Sequence, residues 1–215
     1  MLAYFISGLG ADERVYENIK LPDQYNIQHI KWQEPERNES FPSYCLRLSQ
    51  QIDRSTPFVL IGMSLGGLVA IELNKYIKPE KTIIISTAIS NKEFSMVFKL
   101  IKLLQLHKIT PAFLLKIPSP FAYWFFGIHS ENEKQLLKSF MKNVTDTYLK
   151  WSIDKVINWE NIEKPSRLYH IHGTADKIFP FRKLKPDITI ANGGHLMVHN
   201  KAEELNKALA TILKN

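Results

Sequence analysis

Short runs of apolar and β-branched residues alternate along the chain with stretches in which apolar positions recur every three or four residues. This switching between periods predicts strands and helices in turn, and so an α/β fold in which helices flank a predominantly parallel, six-stranded sheet. The strand candidates are Leu2–Ser7, Asn26–Trp32, Phe58–Gly62, Thr82–Thr87, Arg167–His172 and Asp187–Ala191. FVLIG and TIIIS are nearly all apolar rather than alternating, as strands covered on both faces should be. Helix candidates at Arg14–Lys20, Tyr44–Arg54, Leu65–Ile77 and Ala202–Leu213 lie between the strands or after the last. Right-handed β/α crossovers are therefore expected.

The rhythm breaks between Thr87 and Arg167, where about 80 residues hold no convincing strand, far more than an ordinary connection. FSMVFKLIKLLQL, ENEKQLLKSFMKNV and YLKWSIDKVINW all carry helical spacing, so this stretch is expected to be a helical insertion, broken into pieces by Pro111, Pro118 and Pro120. The domain reading follows: residues 1–90 and 160–215 form the sheet core, and residues 91–159 form a helical cap.

The length of 215 residues fits one domain with an insertion. With 45% hydrophobic and 23% charged residues, burial can offset chain entropy, which excludes wholesale disorder. Cys45 is the only cysteine, so neither an internal disulfide framework nor a thiolate metal cluster can form within one chain. MLAYFISGLG lacks the basic start of a signal peptide, and a cytoplasmic location is expected. The oiliest stretch, from Phe94 to Ile117, is interrupted by Lys99, Lys102, His107, Lys108 and Lys116, so no membrane span is expected. Of the net charge of +7, residues 91–155 hold +5, from ten Lys and five acids. Basic charge favours anionic partners on electrostatic grounds, but no aromatic-interleaved motif supports nucleic acid as one. No feature of the sequence specifies an oligomeric state.

The sharpest chemical signal is Gly62-Met63-Ser64-Leu65-Gly66, followed by Gly67. It lies between an apolar strand and a helix-forming run, the setting of a nucleophile elbow, in which a tight turn lifts the serine hydroxyl above the sheet. A serine hydroxyl needs a base, and the base needs an orienting acid. Asp176 follows the strand RLYHIH, and His195 follows the last strand, DITIA. Both are thus expected at the same carboxyl edge of the sheet as Ser64. The backbone amide of Leu65, at a helix N-terminus, is one candidate donor to an oxyanion. The loop Ser7-Gly8-Leu9-Gly10 should supply the second; Leu9 is the first choice, with Gly8 and Gly10 left open. His170 and His172 form an H-x-H pair with no third ligand in view, so no metal site is expected, and His172 is expected to support the Asp176 loop.

Taken together, the SGLG loop, GMSLGG, HGTADKIFP and GGH resemble the α/β-hydrolase fold superfamily over nearly the whole chain. The compact variety, without two leading antiparallel strands, is the best match. Ser7-Gly8 stands where many members have His-Gly, a change that spares backbone donation. The resemblance implies a cofactor-free serine hydrolase, carboxylesterase- or thioesterase-like, with Ser64, His195 and Asp176 as its triad and a small, partly apolar ester or thioester as substrate. The alternatives are a lyase or C–C bond hydrolase on the same triad, or a non-catalytic ligand-binding module of the same fold. Phe113, Phe121, Tyr123, Trp124, Phe125 and Phe126 concentrate aromatic surface in the insertion. They suit either its packing core or the underside of a lid, and Phe121, Trp124 and Phe125 are the candidates for an apolar substrate pocket.

Overall fold

The computed structural model describes residues 1–214. Six strands, β1 (Leu2–Ile6), β2 (Asn26–His29), β3 (Phe58–Met63), β4 (Lys81–Ile85), β5 (Leu168–Gly173) and β6 (Ile188–Ile190), form one sheet in the order β2-β1-β3-β4-β5-β6. Every neighbouring pair is parallel. Alternate residues feed two apolar layers: Tyr4, Ile6, Leu60 and Ile84 face one side, and Phe5, Ile61, Ile83 and Ile85 the other. The first layer is completed by α1 (Phe41–Leu48) and α2 (Leu65–Leu73), the second by α9 (Met197–Asn200) and α10 (Ala202–Lys214). All nine residues of α2 are buried, because α1, the sheet and the insertion enclose it.

Two predicted helices take other forms. Arg14–Lys20 yields one 3-10 turn, Glu13–Tyr16, capped by the Asp12 side chain accepting from the Arg14 amide at 3.1 Å. The first α-helix starts at Phe41 rather than Tyr44, because Ser40 caps it and Pro42 suits its first turn. The β5–β6 connection holds only a 3-10 turn at Phe181–Lys183.

Between β4 and β5 run six helices: α3 (Met96–Leu103), α4 (Leu106–Ile109), α5 (Ala112–Leu115), α6 (Pro120–Phe126), α7 (Glu131–Asn143) and α8 (Asp146–Asn158). Their boundaries have local causes. Gln105 turns left-handed before α4, Pro111 precedes α5, Pro120 opens α6, and Gly127 ends it at φ +69°. Ser130 and Glu133 form a reciprocal cap on α7, and Thr145 caps α8. Glu133 also accepts from Asn200 Nδ2 at 2.6 Å, tying α7 to α9. Trp151 of α8 donates to the Glu39 carbonyl at 3.1 Å and lies 4.4 Å from the Tyr44 ring, tying α8 to α1.

The turn from β3 into α2 is the tightest point of the core. A side chain at Gly66 would overlap the carbonyls of Ile6 and Ser7, and one at Gly62 would overlap the Gly66 carbonyl. Gly62→Ala and Gly66→Ala should each cost about 1–3 kcal/mol of stability in denaturant titration. Gly67→Ala, whose methyl would meet the Thr87 side chain at 2.6 Å and backbone, the Gly62 carbonyl, only at 3.2 Å, should cost less than either.

Candidate active site

Ser64 occupies the turn between β3 and α2 at φ 54°, ψ −119°, a conformation costly for a residue with a side chain. Its amide donates to the Ile85 carbonyl at 2.9 Å, and its carbonyl accepts from the amides of Gly67 and Leu68 at 2.9 and 3.2 Å. Backbone bonds on both sides thus hold the strained residue, and its side chain stays partly accessible.

The three separated groups meet. Ser64 Oγ lies 3.0 Å from His195 Nε2, and His195 Nδ1 lies 2.9 Å from Asp176 Oδ2. Asp176 Oδ1 accepts from the amides of Ile178 and Phe179 at 2.8 and 3.0 Å. A carboxylate accepts only, so His195 carries its hydrogen on Nδ1 and presents the Nε2 lone pair to the serine. Burial pushes the Asp176 carboxyl up, but the His195 imidazole, helped by His172 and the Phe179 amide, brings it below the usual carboxylate value. The loops carrying Asp176 and His195 are stitched together, since Thr174 donates to the Ile190 carbonyl at 3.0 Å and Ala175 to that of Gly193 at 2.9 Å.

The loop after β1 passes beside the serine: a methyl added at Gly8 would sit 3.5 Å from Ser64 Cβ. Leu9 is the next residue of that loop, and the Leu65 amide stands in the first turn of α2, where intrahelical acceptors are lacking. The sequence reading missed Trp32, whose Nε1 donates to Ser7 Oγ at 2.8 Å and to the Gly8 carbonyl at 3.2 Å. Ser7 in turn donates to the Ala11 carbonyl at 2.6 Å. Nothing local in the sequence marks Trp32 as the brace of this loop.

The aromatic candidates differ in burial, although the Phe121 ring lies 5.9 Å from Trp124 and 5.8 Å from Phe125. Phe121 and Trp124 are exposed, whereas Phe125 packs on the core. The rings nearest His195 are Phe126, edge-on at 5.8 Å, and Phe179 at 6.0 Å. Phe126 belongs to the aromatic run noted in the sequence, and Phe179 to the segment after Asp176. The Leu196 amide donates to the Phe126 carbonyl at 3.2 Å, and Lys177 Nζ to that of Trp124 at 2.9 Å, so the end of α6 is fastened beside the histidine.

Behind Asp176 lies a chain of buried histidines. The Phe179 carbonyl, 2.8 Å from His172 Nε2, can only accept, so that nitrogen bears the hydrogen. His172 Nδ1 is then the acceptor for His170 Nε2 at 3.3 Å, and His170 Nδ1 is left bare, without a partner among the described residues. Among those residues no group of three His, Cys, Asp or Glu side chains is placed to hold a metal ion. Burial, then the neighbouring His172, pushes the His170 imidazole down to about 3. The unfolded chain therefore takes up this proton first, and the stability His170 confers is complete above about pH 6.5 and drains away as pH falls toward 3. Melting measured from pH 7 to pH 4 should fall less steeply in His170→Leu than in the wild type, by up to about 1.4 kcal/mol per pH unit.

No family model and no curated protein sequence matches the chain. Solved structures do. MenH from S. aureus aligns at 18% identity and a TM-score of 0.73, covering 100% of this chain and 93% of that one. The esterase EaEST from Exiguobacterium antarcticum aligns at 16% identity and a TM-score of 0.72, covering 100% and 92%. A thermophilic esterase from Thermogutta terrifontis aligns at 14% identity and a TM-score of 0.68, covering 100% and 89%. With its six parallel strands and flanking helices, the chain has the α/β-hydrolase fold.

Proposed function

We propose that the protein is a serine hydrolase cleaving an ester or thioester of a small, partly apolar acid. The observation that carries this reading is the unbroken chain from Ser64 Oγ through His195 to Asp176, with links of 3.0 and 2.9 Å. In the proposed reaction His195 Nε2 takes the Ser64 proton as the oxygen attacks the carbonyl carbon. Asp176 holds the imidazole in the required tautomer and stabilises its cation. The amides of Leu65 and Leu9 receive the oxyanion of the tetrahedral intermediate. His195 then protonates the leaving alkoxide or thiolate, and an acyl group remains on Ser64. Water, deprotonated by His195, attacks that acyl group, and His195 returns the proton to Ser64 Oγ as the acid leaves. Residues 91–159 act as the cap of this site, with Phe125 and Phe126 on its inner side. Two structural neighbours that share this fold are esterases.

On short-chain nitrophenyl esters, Ser64→Ala should lower kcat at least about 10⁴-fold. A fluorophosphonate should add once to the wild type and not to this variant, read by intact mass. Turnover persisting undiminished in Ser64→Ala would refute the assignment. Asp176→Asn should lose about 10⁴-fold in kcat with KM little changed, because the imidazole then adopts the wrong tautomer.

A further inference from the structure

Twelve of the sixteen large apolar side chains that stand exposed among the described residues lie between Met96 and Trp124. Leu103, Ile109 and Met96 are 77%, 74% and 70% exposed. On α3 the exposed positions Met96, Val97, Leu100 and Leu103 follow helical spacing, so they form one outward stripe. Neither α3 nor α6 buries a single residue, despite their apolar sequences. The helices α3, α4 and α5 all rest on α8, which gives their outer surfaces a common base.

Charge tells what covers this surface. Residues 95–127 contain Lys99, Lys102, Lys108 and Lys116 and no Asp or Glu. Lys102 and Lys116 reach back to Glu160 and Asp146, while Lys99 and Lys108 make no ion pair among the described residues. A second copy of the chain is a poor occupant, since a two-fold interface would set these lysines near one another with no acid in the segment to pair them. Protein interfaces in general are depleted in Lys. Exposed apolar side chains interleaved with lysines, and an exposed Trp124 with Lys177 Nζ 4.3 Å from its ring centroid, are instead what a bilayer surface takes: the side chains enter the headgroup boundary while ammonium groups meet anionic lipid.

We propose that α3 to α6 form a docking surface for an anionic phospholipid membrane, bound peripherally. The proposal does not depend on the hydrolase reading, and its test does not pass through catalysis. The full chain is sedimented with vesicles of phosphatidylcholine alone and of phosphatidylcholine with about one-third phosphatidylglycerol. The expected result is partition onto the anionic vesicles only, weakening as salt rises. Lys99→Gln and Lys108→Gln should each weaken it about fivefold, and Leu103→Ser with Ile109→Ser at least about tenfold, with melting temperatures unchanged. Three outcomes would overturn the proposal: no binding to anionic vesicles at low salt, equal binding to neutral ones, or a concentration-dependent dimer in sedimentation velocity that the Leu103→Ser, Ile109→Ser variant disperses.

Discussion

The close passage of the β1 terminus over the first turn of α2 constrains everything around the site. Gly66 lies against the carbonyls of Ile6 and Ser7, so the loop that follows them must start beside Ser64. One contact therefore sets the position of the serine, the direction of α2 and the path of the loop through Leu9. The strain of Ser64 at φ 54° is sustained because backbone bonds to β4 and α2 hold it from either side. A looser turn would let the residue relax to negative φ and draw its hydroxyl away from His195.

The acid side of the site rests on a different device. Asp176 is buried, which alone would favour the neutral carboxyl, yet two backbone amides and His195 together favour the anion. His172 holds the Phe179 carbonyl, and so bears on the same residue whose amide donates to Asp176. Keeping His170 and His172 neutral is part of the arrangement: burial depresses both, and for His172 it outweighs the attraction of Asp176, whose carboxylate lies 3.6 Å from Nε2. The acid is thus held ionised beside imidazoles that are held neutral.

The strands, the serine elbow and the order of Ser64, Asp176 and His195 were legible in the sequence because each rests on a short local pattern. Every strand candidate matched an observed strand to within a few residues. What stayed hidden depends on partners remote in the chain. Trp32 braces the loop after β1 across more than twenty positions, and Phe126 reaches His195 only because α6 ends beside α9. The Arg14–Lys20 segment carried helical spacing, but the Asp12 cap and the hydrogen bond from the Ile19 amide to the Tyr16 carbonyl, at 2.9 Å, close it after one turn. The sequence placed Phe121, Trp124 and Phe125 together, and the rings of Trp124 and Phe125 do lie 5.9 and 5.8 Å from that of Phe121, but the sequence does not show that Phe125 alone packs on the core while the other two face solvent.

That division within α6 explains how one insertion can carry two unrelated physical demands. The C-terminal end of α6 is held by directional bonds to backbone carbonyls, from the Leu196 amide to Phe126 and from Lys177 Nζ to Trp124. Its outer side and α3 add apolar area that the folded chain does not use for its own core. Exposing such area is unfavourable in water, so its concentration in one acid-free segment, on helices that share a base on α8, is difficult to assign to packing. The net charge divides the same way, with +5 on residues 91–155 and +2 on the remainder. The layer that holds Ser64, Asp176 and His195 therefore sits in a nearly neutral body, and the field that would steer the molecule toward an anionic surface originates in residues 91–155, the segment that also carries the exposed apolar side chains.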